Sequence, residues 1–455
     1  MSFIKTIAQK LGVDKAIAYS SGARVIQGFT GVGSMFFIST FLTGVEQGFY
    51  FTFGSILALQ VFFELGLTGI MTQYVAHEAS HLTLDEYNEY QGEERYKSRL
   101  ASLVHFCVKW YAMLAALIFV FLNVVGYIYF NKYGDNQGEY VDWQTPWILI
   151  SIATAIQLFV SPLTSILTGL GFVKQTSKIT FFHQLITPLC TWIGLASGLK
   201  LYVTGVAYLL NVSIWFVFVN NQGLLTILKK LWQTSISERV AYMAEIFPYQ
   251  WRIALSWVSG YFIFQLFNPV LFATEGAVVA GQMGMTLQAL SAIQSFAFSW
   301  LNTKVPLYSR LIARKDYLQL DLVFNKTLKQ MVVIGTSLLV LFYCFIAVLR
   351  ITQFHIGETI LADRFLDYLP MLLMVIPVFL QQFISSWATY LRCHKKEPFL
   401  VNSIVGGILC MLSTIGFGNL YGIYGITIGY CMIQVFMFPW GYWLYYSNKK
   451  KWHGK

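Results

Sequence analysis

Charge is what this chain has least of. Asp, Glu, Lys and Arg together make up 11% of its 455 residues, under half the roughly 25% of an ordinary soluble domain. A surface so poor in charge cannot face water, which excludes a soluble globular protein and leaves an integral membrane protein. Cysteine is equally uninformative as a scaffold. Five of the six, Cys107, Cys190, Cys344, Cys410 and Cys431, lie in apolar runs, and Cys393 sits on a turn; none is spaced as a metal ligand or as a disulfide framework. No Walker loop, Rossmann glycine pattern or ABC signature is present, so nucleotide-driven pumping and nucleotide cofactors are not expected. Long loops are lacking on one side as well, which argues against a membrane enzyme that must hold an external acceptor.

What is present is apolar length. Uncharged runs cover 25–45, 110–131, 143–173, 179–199, 201–228, 253–274, 276–303, 330–349 and 368–391. Segment 47–76 is interrupted by Glu64 alone, and 398–448 is long enough for two spans broken near Gly418-Asn419. A helix needs about 20 apolar residues to cross the hydrocarbon core, and no strand-like alternation of a membrane barrel is visible. The expected fold is an all-α polytopic membrane protein with twelve transmembrane helices. Residues 2–18 place Phe3, Ile7 and Leu11 on one stripe among lysines, so 1–21 reads as an interfacial amphipathic segment rather than a cleavable signal.

The basic residues set the orientation. If the N-terminus is cytoplasmic, the inner segments hold 26 of the 31 Lys and Arg, so both termini, including the basic tail 447–455, are expected inside. The net charge of +10 is then a topology signal, and nucleic acid is not an expected partner.

The chain also echoes itself. Arg24 opens the first span and Arg252 the seventh. VEQGFYFTFGSILALQ (45–60) and TEGAVVAGQMGMTLQ (274–288) each begin with an acid and a glycine and end on a glutamine, and LTGLGFVKQ (167–175) answers LRCHKKEPF (391–399). The expectation is two six-helix parallel repeats around a central cleft, 22–220 and 249–446, joined by a cytoplasmic linker at 221–248. A repeat interface at mid-membrane is where transporters hold substrate.

Four residues are candidate site residues. Glu64, deep in the second span, is costly there unless paired or facing water; it is either a partner of Arg24 or Lys109 or a coupling residue for an ion. Arg24 and Arg252, matched in register, suit a phosphate gripped in bidentate fashion, with Lys109 adding to the field. The stretch HEASH (77–81) matches the zinc-protease pattern, but a zinc site needs a third ligand, and neither Asp85 nor His105 is fixed by a companion motif. Its residues read as interfacial. At about 100° per residue, Glu78 falls within roughly 40° of Glu64, and the two histidines point largely to the opposite side.

The segments VEQGFYFTFGSILALQVFFELGL, QWRIALSWVSGYFIFQLF and LRCHKKEPF resemble the bacterial polysaccharide-biosynthesis, O-antigen-type flippase branch of the multidrug/oligosaccharidyl-lipid/polysaccharide exporter superfamily. That resemblance implies two six-helix bundles, alternating access and a polyprenyl-pyrophosphate-linked oligosaccharide moved from the inner to the outer leaflet for cell-surface polysaccharide synthesis. It implies a bacterial inner-membrane location, basic cavity residues near the pyrophosphate, for which Arg24 and Arg252 are the positions, H+ or Na+ as a coupling ion, and polysaccharide-assembly proteins as possible partners. A cation-coupled multidrug antiporter of the same superfamily is the alternative, and a membrane enzyme is the reading from another class.

Overall fold

A computed structural model describes residues 15–134, 139–356, 359–394 and 396–453; of residues 15–25, 249, 356 and 359 only the backbone is described. The expected amphipathic segment 1–21 therefore lies largely outside the described residues. The chain is an all-α polytopic membrane protein. In order it forms α1 (Lys15–Phe41), α2 (Gly44–Leu57), a one-turn α3 (Val61–Glu64), α4 (Leu67–Ala79), α5 (Glu94–Tyr133), α6 (Gln144–Gly169), α7 (Val173–Ala196), α8 (Tyr202–Asn221), α9 (Leu224–Gln233), α10 (Phe247–Phe264), α11 (Phe267–Thr274), α12 (Ala277–Asn302), α13 (Val305–Ala313), α14 (Tyr317–Thr352), α15 (Tyr368–Arg392) and α16 (Leu400–His453). Among the described residues, eight helices are long and apolar enough to cross a membrane; Gly44–Glu64 with Leu67–Ala79, bent by 43°, makes a ninth span if taken as one. Two small antiparallel ladders, β1 (Leu82–Leu84) with β2 (Tyr90–Gly92) and β3 (His355–Ile356) with β4 (Thr359–Ile360), close loops that the sequence leaves featureless.

One expectation about continuity fails, and the other holds with its break shifted a few residues. The second span is not one helix: Leu65 (φ 51°, ψ 33°) and Gly66 (φ 68°, ψ 14°) are both left-handed between α3 and α4. Glycine takes that conformation without the Cβ penalty, and a Cβ on Gly66 would also run into Ile253. The break in 398–448 falls at Gly422 (φ 57°, ψ −136°), not at Gly418-Asn419. There Glu275 accepts from the Ile423 amide at 2.6 Å, and a Cβ on Gly422 would occupy the place of the Glu275 carboxylate.

The chain forms two compact units. The first comprises Met1–Gln27, Leu57–Asn131 and Asp142–Trp257, the second Gly28–Ile56, Lys132–Val141 and Val258–Lys455. In the first, Trp147 is buried with its indole N–H donating to the Leu122 carbonyl at 3.2 Å, and the Trp215 indole donates to Thr164 Oγ1 at 2.8 Å. The region expected to link the halves becomes α9, which buries Leu224, Ile227, Leu228 and Leu231 at helical spacing, the stripe an interfacial helix needs.

In the second unit the two echoing segments lie against one another. Gly48 packs on the Ala277 backbone so closely that a Cβ would collide with its carbonyl. Gln47 Nε2 donates to the Gly281 carbonyl at 2.8 Å, and Asn268 to Ser55 at 3.1 Å. Without a hydrophobic drive between helices in lipid, small residues that admit backbone contact supply the packing. A second core gathers Tyr308, Phe324, Trp387, Tyr390 and Tyr445.

Candidate functional site

The first unit carries a charge cluster, buried at Glu78, largely buried at Arg99 and open to solvent at Arg95 and Glu238, where α4, α5 and the segment before α10 meet. It begins with Glu78, near the end of α4 and 1% exposed. A carboxylate so buried needs a counter-charge, and α5 supplies it: Arg99 Nη2 lies 3.1 Å from Glu78 Oε1. The same guanidinium donates to Glu245 Oε2 at 2.7 Å and lies 3.6 Å from Glu238. Arg95, one helical turn earlier, pairs with Glu238 at 3.2 Å. The Arg99 guanidinium holds the Glu245 carboxyl below the usual carboxylate range, because a hydrogen-bonded cation favours the charged form.

Backbone bonds complete the attachment. Ser98 Oγ accepts from the amides of Ser237 and Glu238, each at 2.8 Å, and donates to the Glu238 carbonyl; Ser102 Oγ accepts from Val240 at 3.1 Å. Tyr74 donates to the Glu245 carbonyl. Beside the cluster opens a cavity of about 400 Å³ lined by Gln73, Tyr74, His77, Glu78, Arg99 and Glu245 among others. Three carboxylates face two guanidiniums, an excess of one negative charge.

This geometry reassigns HEASH. α4 ends at Ala79, so His81 is past the helix end. It stacks on Tyr96 with centroids 4.0 Å apart, while Glu78 is committed to Arg99. Among the described residues no group of three or more metal-capable side chains comes together. The left-handed break at 65–66 also voids the angular relation expected between Glu64 and Glu78, since one helical phase no longer connects them.

Glu64 sits at the end of α3, at the break itself, and accepts from Thr68 Oγ1 at 2.6 Å. The expected ion pair with Lys109 is not formed: among the described residues the bonded partner of Glu64 is Thr68, and Lys109 is exposed on α5. Arg252 is exposed at the start of the seventh span, its guanidinium 5.5 Å from the Trp251 ring centre. The side chain of Arg24 lies outside the described residues, so neither its pairing with Glu64 nor its meeting with Arg252 is observed. Arg99, Glu238 and Glu245 were missed by sequence reasoning. Their signal was faint: Ser98, Arg99 and Ser102 share one face at the start of α5, opposite an acid just before a span.

In the second unit a cavity of about 630 Å³ runs beside α1, α12 and α14, lined by Phe29, Val32, Phe36, Ala292, Phe296 and Phe345 among other mostly apolar residues. Along α1 it reaches from Gly28 to Ser39, a length of roughly 16 Å at 1.5 Å per residue.

No family model and no curated protein matches the sequence. Solved structures do match the fold. The lipid II flippase MurJ in an inward closed conformation superposes with a TM-score of 0.59 at 12% identity, covering 95% of this chain and 87% of that one. The MATE transporter VcmN of Vibrio cholerae, in a mutant form, gives 0.57 at 12% over 99% of both chains. An inward-facing multidrug resistance MATE transporter of the MOP superfamily gives 0.55 at 13% over 93% of this chain and 99% of that one. The chain has the fold shared by these transporters and this flippase.

Proposed function

We propose that this chain is a flippase that carries a polyprenyl-pyrophosphate-linked oligosaccharide from the inner to the outer leaflet by alternating access, in a bacterial inner membrane with both termini cytoplasmic. The observation that carries the reading is the long, almost wholly apolar cavity beside α1, α12 and α14. A polyprenyl chain needs such a surface for its length while its head group crosses, whereas a compact drug needs a short pocket with a few convergent polar groups. The shared fold with a lipid II flippase supports a lipid-linked cargo.

In this reading twelve spans form two six-helix repeats, Arg24, Arg252 and Lys109 meet the pyrophosphate, and Glu64 couples transport to H+ or Na+. The exposure of Arg252 leaves it open to an incoming phosphate. Glu64 at a helix break fits a coupling residue, because non-helical backbone at membrane depth is tolerated where it is buried in protein or lines a cavity.

Filling the cavity tests the cargo. Ala292→Trp is expected to lower surface-glycan export at least tenfold per molecule of protein while leaving resistance to lipophilic cations unchanged. Unchanged glycan with lost drug resistance would establish the multidrug antiporter instead. For the phosphate clamp, Arg252→Ala is expected to cut export strongly and Arg252→Lys to restore it in part, since the bidentate fork is lost.

A further inference from the structure

The segment 361–366 connects α14 to α15, yet it lies inside the second unit. Ala362, Arg364, Phe365 and Leu366 are all buried, and the Leu366 amide donates to Thr286 Oγ1 at 3.1 Å. Thr286 comes nine residues after Ala277, where α12 starts, so the segment dips roughly 13 Å past that helix end at 1.5 Å per residue. Backbone outside an α-helix at such depth must be satisfied by protein, and here side chains of three helices satisfy it. Gln282 of α12 donates to the Asp363 carbonyl at 2.9 Å, and Gln47 of α2 to the Arg364 carbonyl at 3.1 Å. Arg350 of α14 donates to the Phe365 and Leu366 carbonyls at 3.2 and 3.0 Å and pairs with Asp367. Arg364 returns the contact, donating to the Leu42 carbonyl just past α1 at 2.6 Å.

The residues beside Arg364 face the apolar cavity: Leu361 and Phe365 both line it. Along α1 that cavity ends at Ser39, and Arg364 is anchored three residues further on, at Leu42. The segment therefore caps the Ser39 end.

We propose that segment 361–366 is the outer gate of the cavity, with Arg364 as its latch. The proposal rests on reading the cavity as a path for a polyprenyl chain, and on an N-terminus inside, which makes the Ser39 end the outer one. A lipid loaded from the inner leaflet has its pyrophosphate at the Gly28 end of the cavity. Once delivered, it has its pyrophosphate at the Ser39 end, so a cap seated there must lift. The seat suits a part that lifts, because the bonds to its carbonyls come from side chains, and water can replace a side chain as donor. The latch is also incompletely bonded. Arg364 Nη1 and Gln47 Oε1 are both buried without a hydrogen-bond partner, and lifting gives both groups back to water. Burial of Ala362, Phe365 and Leu366 acts the other way and keeps the cap down at rest.

Backbone hydrogen exchange on the full chain in nanodiscs, without cargo, tests the gate. The amides of Leu361, Phe365 and Leu366 donate to Phe354, Ala362 and Thr286. They are expected to exchange together, and faster than the amides at the centre of α12. Arg364→Ala should quicken them about tenfold or more, the factor for one hydrogen bond from a charged donor, with α12 unchanged. Gln282→Ala removes the bond to Asp363 alone and should quicken them less; it carries the test if Arg364→Ala does not fold. Ser39 is 2% exposed in the closed seat. Ser39→Cys should nonetheless react with an impermeant thiol reagent added outside, above the rate of the unsubstituted chain, and faster still with Arg364→Ala. Exchange of 361–366 only in step with α12, or equal loosening of both by Arg364→Ala, would make the segment a fixed part of the core and overturn the proposal. Reaction of Ser39→Cys only from the inner side would overturn it too, by putting the cap at the wrong face. None of these readouts uses cargo, so a cap that lifts in a protein that exports no glycan would fault the proposed function and leave the gate standing.

Discussion

Each unit grips a stretch of chain after a late span with the N-terminal end of a long helix, and the two grips use opposite charges. In the first unit Arg99 on α5 holds three carboxylates. In the second, Asp321 on α14 holds cations and hydroxyls: Lys449 lies 2.9 Å from it, and Tyr390 donates to it at 2.6 Å. His453, at the end of α16, stacks on Tyr317 of α14 with centroids 4.0 Å apart and faces His394 with ring nitrogens 2.8 Å apart. Arg99 and Asp321 stand 222 positions apart, close to the offset of about 225 that the sequence echo suggests. What differs is water. The Asp321 and Lys449 side chains keep 30% and 25% of their surface, while Glu78 keeps 2%. The same mechanical task is done by a solvated pair in one unit and by a desolvated one in the other, so the cost of breaking each should differ.

The largest effect is expected from Arg99→Gln. Removing one partner of a buried pair leaves the other uncompensated, at about 3–5 kcal/mol, and thermal unfolding in detergent should show it as a large drop in midpoint. The double variant with Glu78→Gln should recover a good part of that loss; no recovery would mean that Arg99 works through its other acids. Asp321→Asn is expected to cost less, about 1–2 kcal/mol, since water replaces part of what is lost. If it equals Arg99→Gln, solvation does not separate the grips.

A third comparison uses pH. Burial pushes the His394 imidazole below its ordinary value, so the folded state favours the neutral ring. Between that depressed value and the unfolded value near 6.5 the unfolded chain holds more protons, and stability of this contact falls as pH falls through that window. Exchange at 449–453 should rise below about pH 6.5, and His394→Gln should flatten the profile. The smallest effect belongs to Arg95→Gln, whose pair with Glu238 is largely exposed; a change beyond about 1 kcal/mol would contradict its solvated character.

Membrane class and helical fold were legible because they follow from composition and run length, which lipid enforces segment by segment. The break at Leu65-Gly66 was not, because ELG reads as an ordinary helical stretch and the neighbour that leaves no room for a Cβ on Gly66 is Ile253, far along the chain. Gly422 was displaced from the expected break for a similar reason: Glu275 selects which glycine turns. At the site, HEASH drew attention to Glu78 through the wrong chemistry. Its true partner, Arg99, was counted only among the basic residues that set orientation. Single-sequence patterns register what a residue does along its own helix, and the Arg99 cluster joins three separate segments.

The glycine seam between α2 and α12 has a consequence in time. Gln47 must wait for Gly281, 234 residues later, and for Arg364, 317 residues later, before its side-chain Nε2 finds its two acceptors. At a synthesis rate of about 5–20 residues per second, α2 spends roughly 10–50 s in the membrane with its small-residue face uncovered. During that interval nothing in its own neighbourhood of sequence can close the seam, so this long-range contact forms late. A ribosome stalled before α12 would leave behind an inserted helix whose glycine face is open to any other chain with a small-residue stripe of its own.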